Sequence, residues 1–382
     1  MVVGGGVVGA ATAWYSSRAG IQPLLLEARP ALCTLTTPVA SGAFRLQFDN
    51  REELELVRES VDLFLNFLEA TGQRAHDIKV RRQGYLWLTT EEAVAARQRD
   101  LVSRQRDWGL DDVELLDGDE VRRRFPYVGE NVVQARFRAS DGFLDTKELT
   151  LGLARASRAE VVVDCAVVGF RIESGRLTAV ETTRGAVETE AAVICGGPLS
   201  GLIARGAGID LPVKTVRRQK LVLPEVPEVP PEAPMTIDED TLVHWRPALR
   251  GAWLLFTDPS TRASPPAEVV HPDPAFAYSL LDPRSPTAAA RVTPFWRSVW
   301  ERGTAHWWIE AGQYTMTPDH RPLIGETEVG GLWVNTGYSG HGIMASPAGS
   351  RILVDLVTGK GAAGDNPFPP DRDFERPDVA TL

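Results

Sequence analysis

The chain has 382 residues, 43% of them hydrophobic and 24% charged, and a formal net charge of −10. That length exceeds one ordinary domain and predicts two, while the acidic balance argues against nucleic-acid backbones and anionic membranes as partners. No apolar run reaches the roughly 20 residues that span a bilayer, and no leader precedes the first strand. With Cys33, Cys165 and Cys195 scattered and no C-x-x-C, this predicts a cytoplasmic protein with no disulfide framework and no metal site.

The chain opens Val2-Val3-Gly4-Gly5-Gly6-Val7-Val8-Gly9, which reads as a strand, a G-x-G-x-x-G turn and a helix start. Gly4 permits the tight turn, Gly6 the close approach of a pyrophosphate, and Gly9 the packing of helix on strand. The helix N-terminus then offers free N–H groups to the phosphates. Residues 10–18 read as a helix stopped at Gly20, and 23–26 as an apolar strand. Glu27, at its end, suits hydrogen bonds from a ribose. The adenosine half of a dinucleotide is expected across Gly4 to Glu27, with Val7, Val8 and Ala28 beside it. Only Met1, Val2 and Val3 precede the glycines, short for a central strand, which leaves open a start further upstream.

Residues 29–50 read as a loop leading to Arg45. An amphipathic helix follows over 51–71, with Leu56, Leu63, Phe64, Phe67 and Leu68 on one stripe. Then come a strand at 84–89, a polar helix at 90–108, a short helix at 117–125 and a strand at 134–138. Asp145 is placed to N-cap a helix over 146–157. Strands are expected at 160–167, 178–183 and 186–194. The last ends Ala192-Val193-Ile194-Cys195-Gly196-Gly197, which suits a buried parallel strand whose C-terminal end meets a ligand. From Leu211 the texture changes. Antiparallel strands at 220–223 and 251–257 are separated by Pro-rich loops at 224–236 and 258–287. A helix at 289–302 and strands at 307–316 and 332–336 follow. The final helix, 345–358, is expected to start with Ser346 as N-cap and Pro347 at its first position. The tail beyond 361 is rich in Pro and Asp.

Two C-terminal stretches carry a family resemblance. One is Tyr314-Thr315-Met316-Thr317-Pro318-Asp319-His320-Arg321-Pro322-Leu323-Ile324-Gly325, and the other Thr336-Gly337-Tyr338-Ser339-Gly340-His341-Gly342-Ile343-Met344. Together with the Gly-rich start, Ser41-Gly42-Ala43-Phe44-Arg45 and the segment from Ile194 to Gly197, they make the chain resemble one flavoprotein family. It includes D-amino-acid oxidases, glycine oxidase, monomeric sarcosine oxidase and dimethylglycine dehydrogenase. The resemblance spans nearly the whole chain and is loosest over 206–310.

The resemblance implies an α/β fold with an α+β second domain. A discontinuous, Rossmann-like FAD-binding domain would comprise 1–50, 140–210 and 325–365. An antiparallel-sheet substrate or cap domain would comprise 51–139 and 211–324, leaving 366–382 as a surface tail. It implies that Gly340, His341, Gly342 and Ile343 contact the flavin, that Val167 contacts the adenine, and that Cys195 and Gly196 lie near the ribose and pyrophosphate. Ser41, Ala43 and Arg45 would form the loop that meets the flavin, with Arg45 over its face. Gly312 stands where sarcosine oxidase links its flavin through a cysteine, and no histidine occurs between Thr34 and Asp49, so non-covalent FAD is expected. Met344 stands where that enzyme has a lysine for the substrate carboxylate, and no lysine occurs in 240–260, where the oxidases place one for oxygen. Both departures favour a dehydrogenase, or a larger and less polar substrate.

The implied reaction is oxidation of the C–N bond of an amino acid or N-alkyl amino acid by hydride transfer to flavin N5. The electron acceptor would be oxygen or an electron-transfer partner. Arg45, Tyr338 and His341 are candidate catalytic residues, and Arg246 and Tyr338 candidate substrate contacts. A structural ion pair for Arg246 and plain packing for Tyr338 fit the sequence as well. A 2-hydroxy-acid dehydrogenase, with His341 or His320 as base, and a non-catalytic FAD-holding subunit are the alternatives left open.

Overall fold

The computed structural model describes residues 1–303 and 306–374. Its first sheet has six strands in the order Leu323–Glu326, Leu332–Thr336, Ala192–Ile194, Val2–Val3, Leu24–Leu26, Glu160–Val162. Every neighbouring pair is parallel except the first. The two-residue N-terminal strand therefore lies inside the sheet, buried at both positions. Alternation along the strands sorts the side chains to two faces. Val2, Val193 and Cys195 join the core formed with the helices Val7–Arg18, Arg51–Leu65, Thr146–Ala156 and Gly342–Val357. Ala192, Ile194, Leu332 and Val334 meet Leu177 and Val180 of the antiparallel meander Val167–Glu173, Arg176–Thr182, Gly185–Glu188.

The strands expected at 160–167 and 186–194 each divide between the parallel sheet and this meander. The polar run Glu188-Thr189-Glu190 does not suit the buried sheet, and Thr189 turns the chain there, its hydroxyl donating to Ala191 O at 3.0 Å. The expected 51–71 helix is well capped: Asn50 accepts from Glu53 N and donates to Glu53 Oε2, both at 2.8 Å. It breaks at Asn66, whose Nδ2 donates to Asp62 O at 2.9 Å, and resumes as Phe67–Thr71. Leu56, Leu63, Phe64 and Phe67 of the expected stripe are buried in the core shared with the helix Gly342–Val357, whereas Leu68 is 45% exposed.

The second sheet has nine strands and is antiparallel apart from one pair, Met235–Asp238 beside Tyr85–Thr89. Lys214–Leu223 lies between Trp308–Met316 on one side and Gly251–Phe256 with Ala263–Ser264 on the other. One face is apolar. Leu221, Leu223, Leu254 and Trp245 pack under the helices Ala275–Leu281 and Phe295–Arg302, and Leu86, Leu88 and Ala135 under Gly118–Arg124. Strand register puts Tyr85, Trp87, Ile237, His244, Arg246, Trp253 and Lys220 on the opposite face, which meets the loop after the second strand.

Four expectations need correction here. The Pro-rich segments hold further elements: Met235–Asp238 and Val243–Ala248 are strands, and Ala275–Leu281 is a helix. The expected 289–302 helix is a 3-10 turn, Ala289–Arg291, then Phe295–Arg302, because Pro294 can begin a helix but not continue one. The last helix begins at Gly342, with His341 as N-cap. The turn closed by His341 N donating to Tyr338 O at 2.8 Å sets helical geometry before Ser346, whose Oγ is buried without a hydrogen-bond partner among the described residues. Finally, the expected tail is tied down over 366–374. Asn366 Nδ2 donates to Ile324 O at 2.6 Å, Phe368 is 1% exposed within the core, and Arg372 forks onto Asp319 with both bonds at 2.9 Å. The remainder, 375–382, lies outside the described residues.

Candidate active site

The Gly-rich turn has the geometry its sequence requires. Gly4 sits at φ +113°, where a Cβ would fall 2.5 Å from Cys195 O, and a Cβ on Gly9 would fall 1.8 Å from Gly4 O. Gly9 is thus buried under the turn and fixes strand to helix. Gly6 is open toward the cleft: the nearest atom to an added Cβ is Thr37 Oγ1 at 3.3 Å. The helix Val7–Arg18 has no side-chain cap and no acidic residue in its first turn. Its amide dipoles face a cavity and not a carboxylate, which is the local chemistry of a phosphate site. Glu27 is held in place, its Oε2 accepting from Gly5 N at 2.7 Å and its Oε1 from Arg29 N at 2.8 Å.

A cleft of about 490 Å³ runs along this turn, within the range of small-molecule sites. Glu27, Ala28 and Val167 line one end. Gly4, Gly6, Val7 and Val8 line the middle, opposite Cys195 and Gly196. Tyr338, Gly340, Gly342 and Ile343 line the other end. A cleft bordered by a helix N-terminus whose first turn has no acidic residue, with the fixed Glu27 carboxylate beside it, fits a dinucleotide such as FAD. Cys195 is buried, and burial pushes its thiol up to about 12, so it serves as a small wall residue and not as a nucleophile.

Other expected residues lie behind the lining. The His341 imidazole turns away from the cleft: Nδ1 donates to Glu53 Oε1 at 2.8 Å, and the ring packs edge-on to Phe48. Gly340, Gly342 and Ile343 of this turn line the cleft, and the imidazole is committed to Glu53. Met344 is buried beside it, with Sδ 3.9 Å from Arg45 Nη1. Arg45 is 3% exposed and stacks over Phe48 and Trp87, with centroid distances of 4.5 and 5.5 Å. Tyr338 borders the cleft, and its hydroxyl donates to Asn335 Oδ1 at 2.5 Å inside the core, over Gly349. A Cβ added at Gly312 would lie in ordinary contact with Thr36 Cα and Val39 Cβ, 3.5 Å from each. Ala43 lies in the apolar cluster of Tyr85, Trp87, Met235 and Ile237.

Ser41 leads to the residues that the sequence did not bring together. Its carbonyl accepts from Arg246 Nε at 2.7 Å, while Lys220 Nζ donates to Pro38 O at 3.1 Å. Both cations lie 4.0 Å from the same Trp253 ring. Two buried cations thus flank one indole and grip one loop, whose Thr37 and Ala40 line the cleft. Lys220 is paired with Glu310 at 2.8 Å. Arg246 is 6% exposed, and among the described residues no carboxylate lies within ion-pair distance of it. Burial pulls it down to about 9, still protonated at neutral pH. The clustering of Lys220 with Trp253, and the role of Thr37, whose hydroxyl accepts from Val7 N at 3.3 Å, were missed. The T-T-P at 36–38 is the only local signal of the latter.

Among the described residues no helix is long and apolar enough to cross a membrane, and no cluster of potential metal ligands occurs. The chain is 25% identical to a D-amino acid dehydrogenase of Cereibacter sphaeroides, over 94% of this chain and 92% of that protein. Its fold superposes on L-proline dehydrogenase from P. horikoshii with a TM-score of 0.82 at 22% identity, covering 95% and 93% of the two chains. It superposes on glycine oxidase from Geobacillus kaustophilus with the same score at 23% identity, covering 98% of each. The profile of the FAD dependent oxidoreductase (DAO) family matches residues 1–356. The chain therefore belongs to that family and is an FAD-dependent enzyme.

Proposed function

We propose that this enzyme oxidises the C–N bond of an amino acid or N-alkyl amino acid, with FAD held non-covalently in the cleft. The observation that carries the reading is Arg246. It is a buried guanidinium on the sheet face above the cleft loop, with Nε and Nη1 engaged by Ser41 O and Pro247 O and Nη2 without an acceptor among the described residues. A fork of this kind suits the carboxylate of an amino acid, whose charge would offset the cost of burying the guanidinium unpaired. When bound, FAD supplies the hydride acceptor. The chain supplies the rest. The helix at Val7 and the Gly4–Gly6 turn hold the pyrophosphate, Glu27 accepts from the ribose, and Val167 and Ala28 flank the adenine. Cys195 and Gly196 close the opposite wall. The Gly340–Ile343 turn directs backbone N–H groups and the N-terminal end of the last helix at the flavin edge. Arg45, Ser41, Ala43, Gly312 and Met344 shape the flavin end from behind the lining. The face around Arg246 is aromatic and apolar (Trp253, Phe143, Tyr85), which excludes bulk water from the reacting carbon.

The test is an anaerobic visible spectrum of the FAD-loaded enzyme during addition of D- and L-amino acids, N-methyl amino acids and 2-hydroxy acids. Bleaching by an amine supports the reading, and readmitting air then separates oxygen from an electron-transfer partner as acceptor. Bleaching by hydroxy acids alone overturns it. Acid precipitation should leave the yellow colour in the supernatant; flavin that stays with the pellet refutes non-covalent binding.

A further inference from the structure

His244 lies two residues before Arg246 on the strand Val243–Ala248, so both side chains leave the same face, about 7 Å apart along the strand. Its cross-strand neighbours are Leu255 and Ile237, and Ile237 packs with Ala43 of the cleft loop. The imidazole is anchored on one side only. Nδ1 donates to Leu242 O at 3.0 Å, which fixes the tautomer with its proton on Nδ1. Leu242 itself sits at φ +68°, a costly conformation for a branched residue, and it turns its carbonyl back onto the ring. Nε2 is left as an acceptor with no partner among the described residues, on a half-buried side chain. Burial, and then the Arg45 charge, pull this imidazole down to about 4 against the Leu242 hydrogen bond. It is therefore neutral at working pH. The carboxylates that reach this face are already committed, Glu239 to Arg136 at 3.3 Å and Glu310 to Lys220 at 2.8 Å.

We propose that His244 Nε2 is the amine-side contact of the substrate, accepting a hydrogen bond from the N–H of the amino acid whose carboxylate Arg246 holds. The assignment rests on the amino-acid reading above. It makes the site selective for a substrate that presents an N–H beside its carboxylate. A neutral acceptor also does not stabilise an ammonium as a carboxylate would, so the site favours the uncharged amine, the form from which hydride can leave. His244 accepts a hydrogen bond and takes no proton.

The experiment uses FAD-loaded wild-type enzyme, H244L, H244Q and R246M, each checked for flavin content. Two quantities are measured: kcat and KM for the amino acid that bleaches the wild-type flavin fastest, and the Kd of propionate from its perturbation of the flavin spectrum. Propionate carries the carboxylate without the amine. H244L is expected to raise KM about tenfold or more, the scale of one lost buried hydrogen bond, while leaving the propionate Kd within about twofold. H244Q, whose Oε1 reaches the place of Nε2, is expected to restore KM to within about threefold. R246M should weaken both ligands. An H244L enzyme with unchanged KM, or one that weakens propionate as much as the amino acid, overturns the assignment of His244. Wild-type flavin that no amino acid bleaches, or R246M that binds propionate as wild type does, overturns the reading beneath it.

Discussion

Replacing Glu53 by Gln tests the link between the first long helix and the turn that closes the flavin end of the cleft. Glu53 is 3% exposed. Its Oε1 accepts from His341 Nδ1 and its Oε2 from Asn50 Nδ2, both at 2.8 Å. E53Q keeps the shape but offers one acceptor and one donor to two donors. One charge-assisted bond is lost, about 1.5–3 kcal/mol, and a buried donor is left facing another, about 1–3 kcal/mol. Partial relaxation brings the expected cost to about 3 kcal/mol, the lower end for breaking a buried pair. The pH dependence has a defined sign. Burial pushes the Glu53 carboxyl up, but His341, Asn50 and the Arg45 charge outweigh it and hold the group below its ordinary range. A depressed carboxyl stabilises the fold above its unfolded pKa, about 4.3, and this contribution is lost as pH falls through the folded value. Urea unfolding at one saturating FAD concentration, for both proteins across pH, is the assay. The gap should be full at pH 7 and narrow below about pH 4.3. A gap under about 1 kcal/mol at pH 7, or one that widens in acid, refutes the reasoning.

Three further outcomes are expected. G9A should fail to retain FAD on a desalting column, since its Cβ would fall 1.8 Å from Gly4 O; a yellow G9A protein contradicts the proposed phosphate turn. Y338F should lose about 1–3 kcal/mol in urea unfolding, because Asn335 Oδ1 loses its donor inside the core. Its kcat should stay within about twofold, and a tenfold loss would restore a catalytic role for the hydroxyl. All three cysteines are buried, and burial raises Cys33 to about 11 and Cys195 to about 12. Iodoacetamide at pH 8 should label the thiols only after denaturation; rapid labelling of the native enzyme would show that the cleft wall opens.

What could be read in the sequence was what local chemistry decides. The turn at Gly4–Gly9 depends on residues a few positions apart, and its parts fell where the pattern put them. The apolar end at 192–197 and the N-cap at Asp145 were legible for the same reason: Asp145 Oδ1 accepts from Lys147 N and Glu148 N at 2.9 and 3.1 Å. Strand Val243–Ala248 was hidden by Pro247, which a ladder tolerates here because the neighbouring strand pairs only Thr236 and Ile237, with Trp245 and His244. Ser346-Pro347 has the composition of a helix start, but the actual start is set by the turn at 338–341. The grouping of Lys220, His244, Arg246 and Trp253 exists only through cross-strand register. The inward turn of His341 depends on a carboxylate far away in the chain, and no periodicity reports either.

The placement of Val2–Val3 has a consequence for how the molecule is made. This strand is made before any of its partners: its neighbours are Leu24–Leu26 and Ala192–Ile194, and the sheet is closed by Leu323–Glu326. Pairing across so much chain is slow and makes no contacts until late. The Gly-rich turn is thus synthesised well before the walls of its cleft, the last of which is Gly340 to Ile343. FAD can be captured only once the chain through that last wall has emerged, and chains stalled before about residue 340 should carry no flavin.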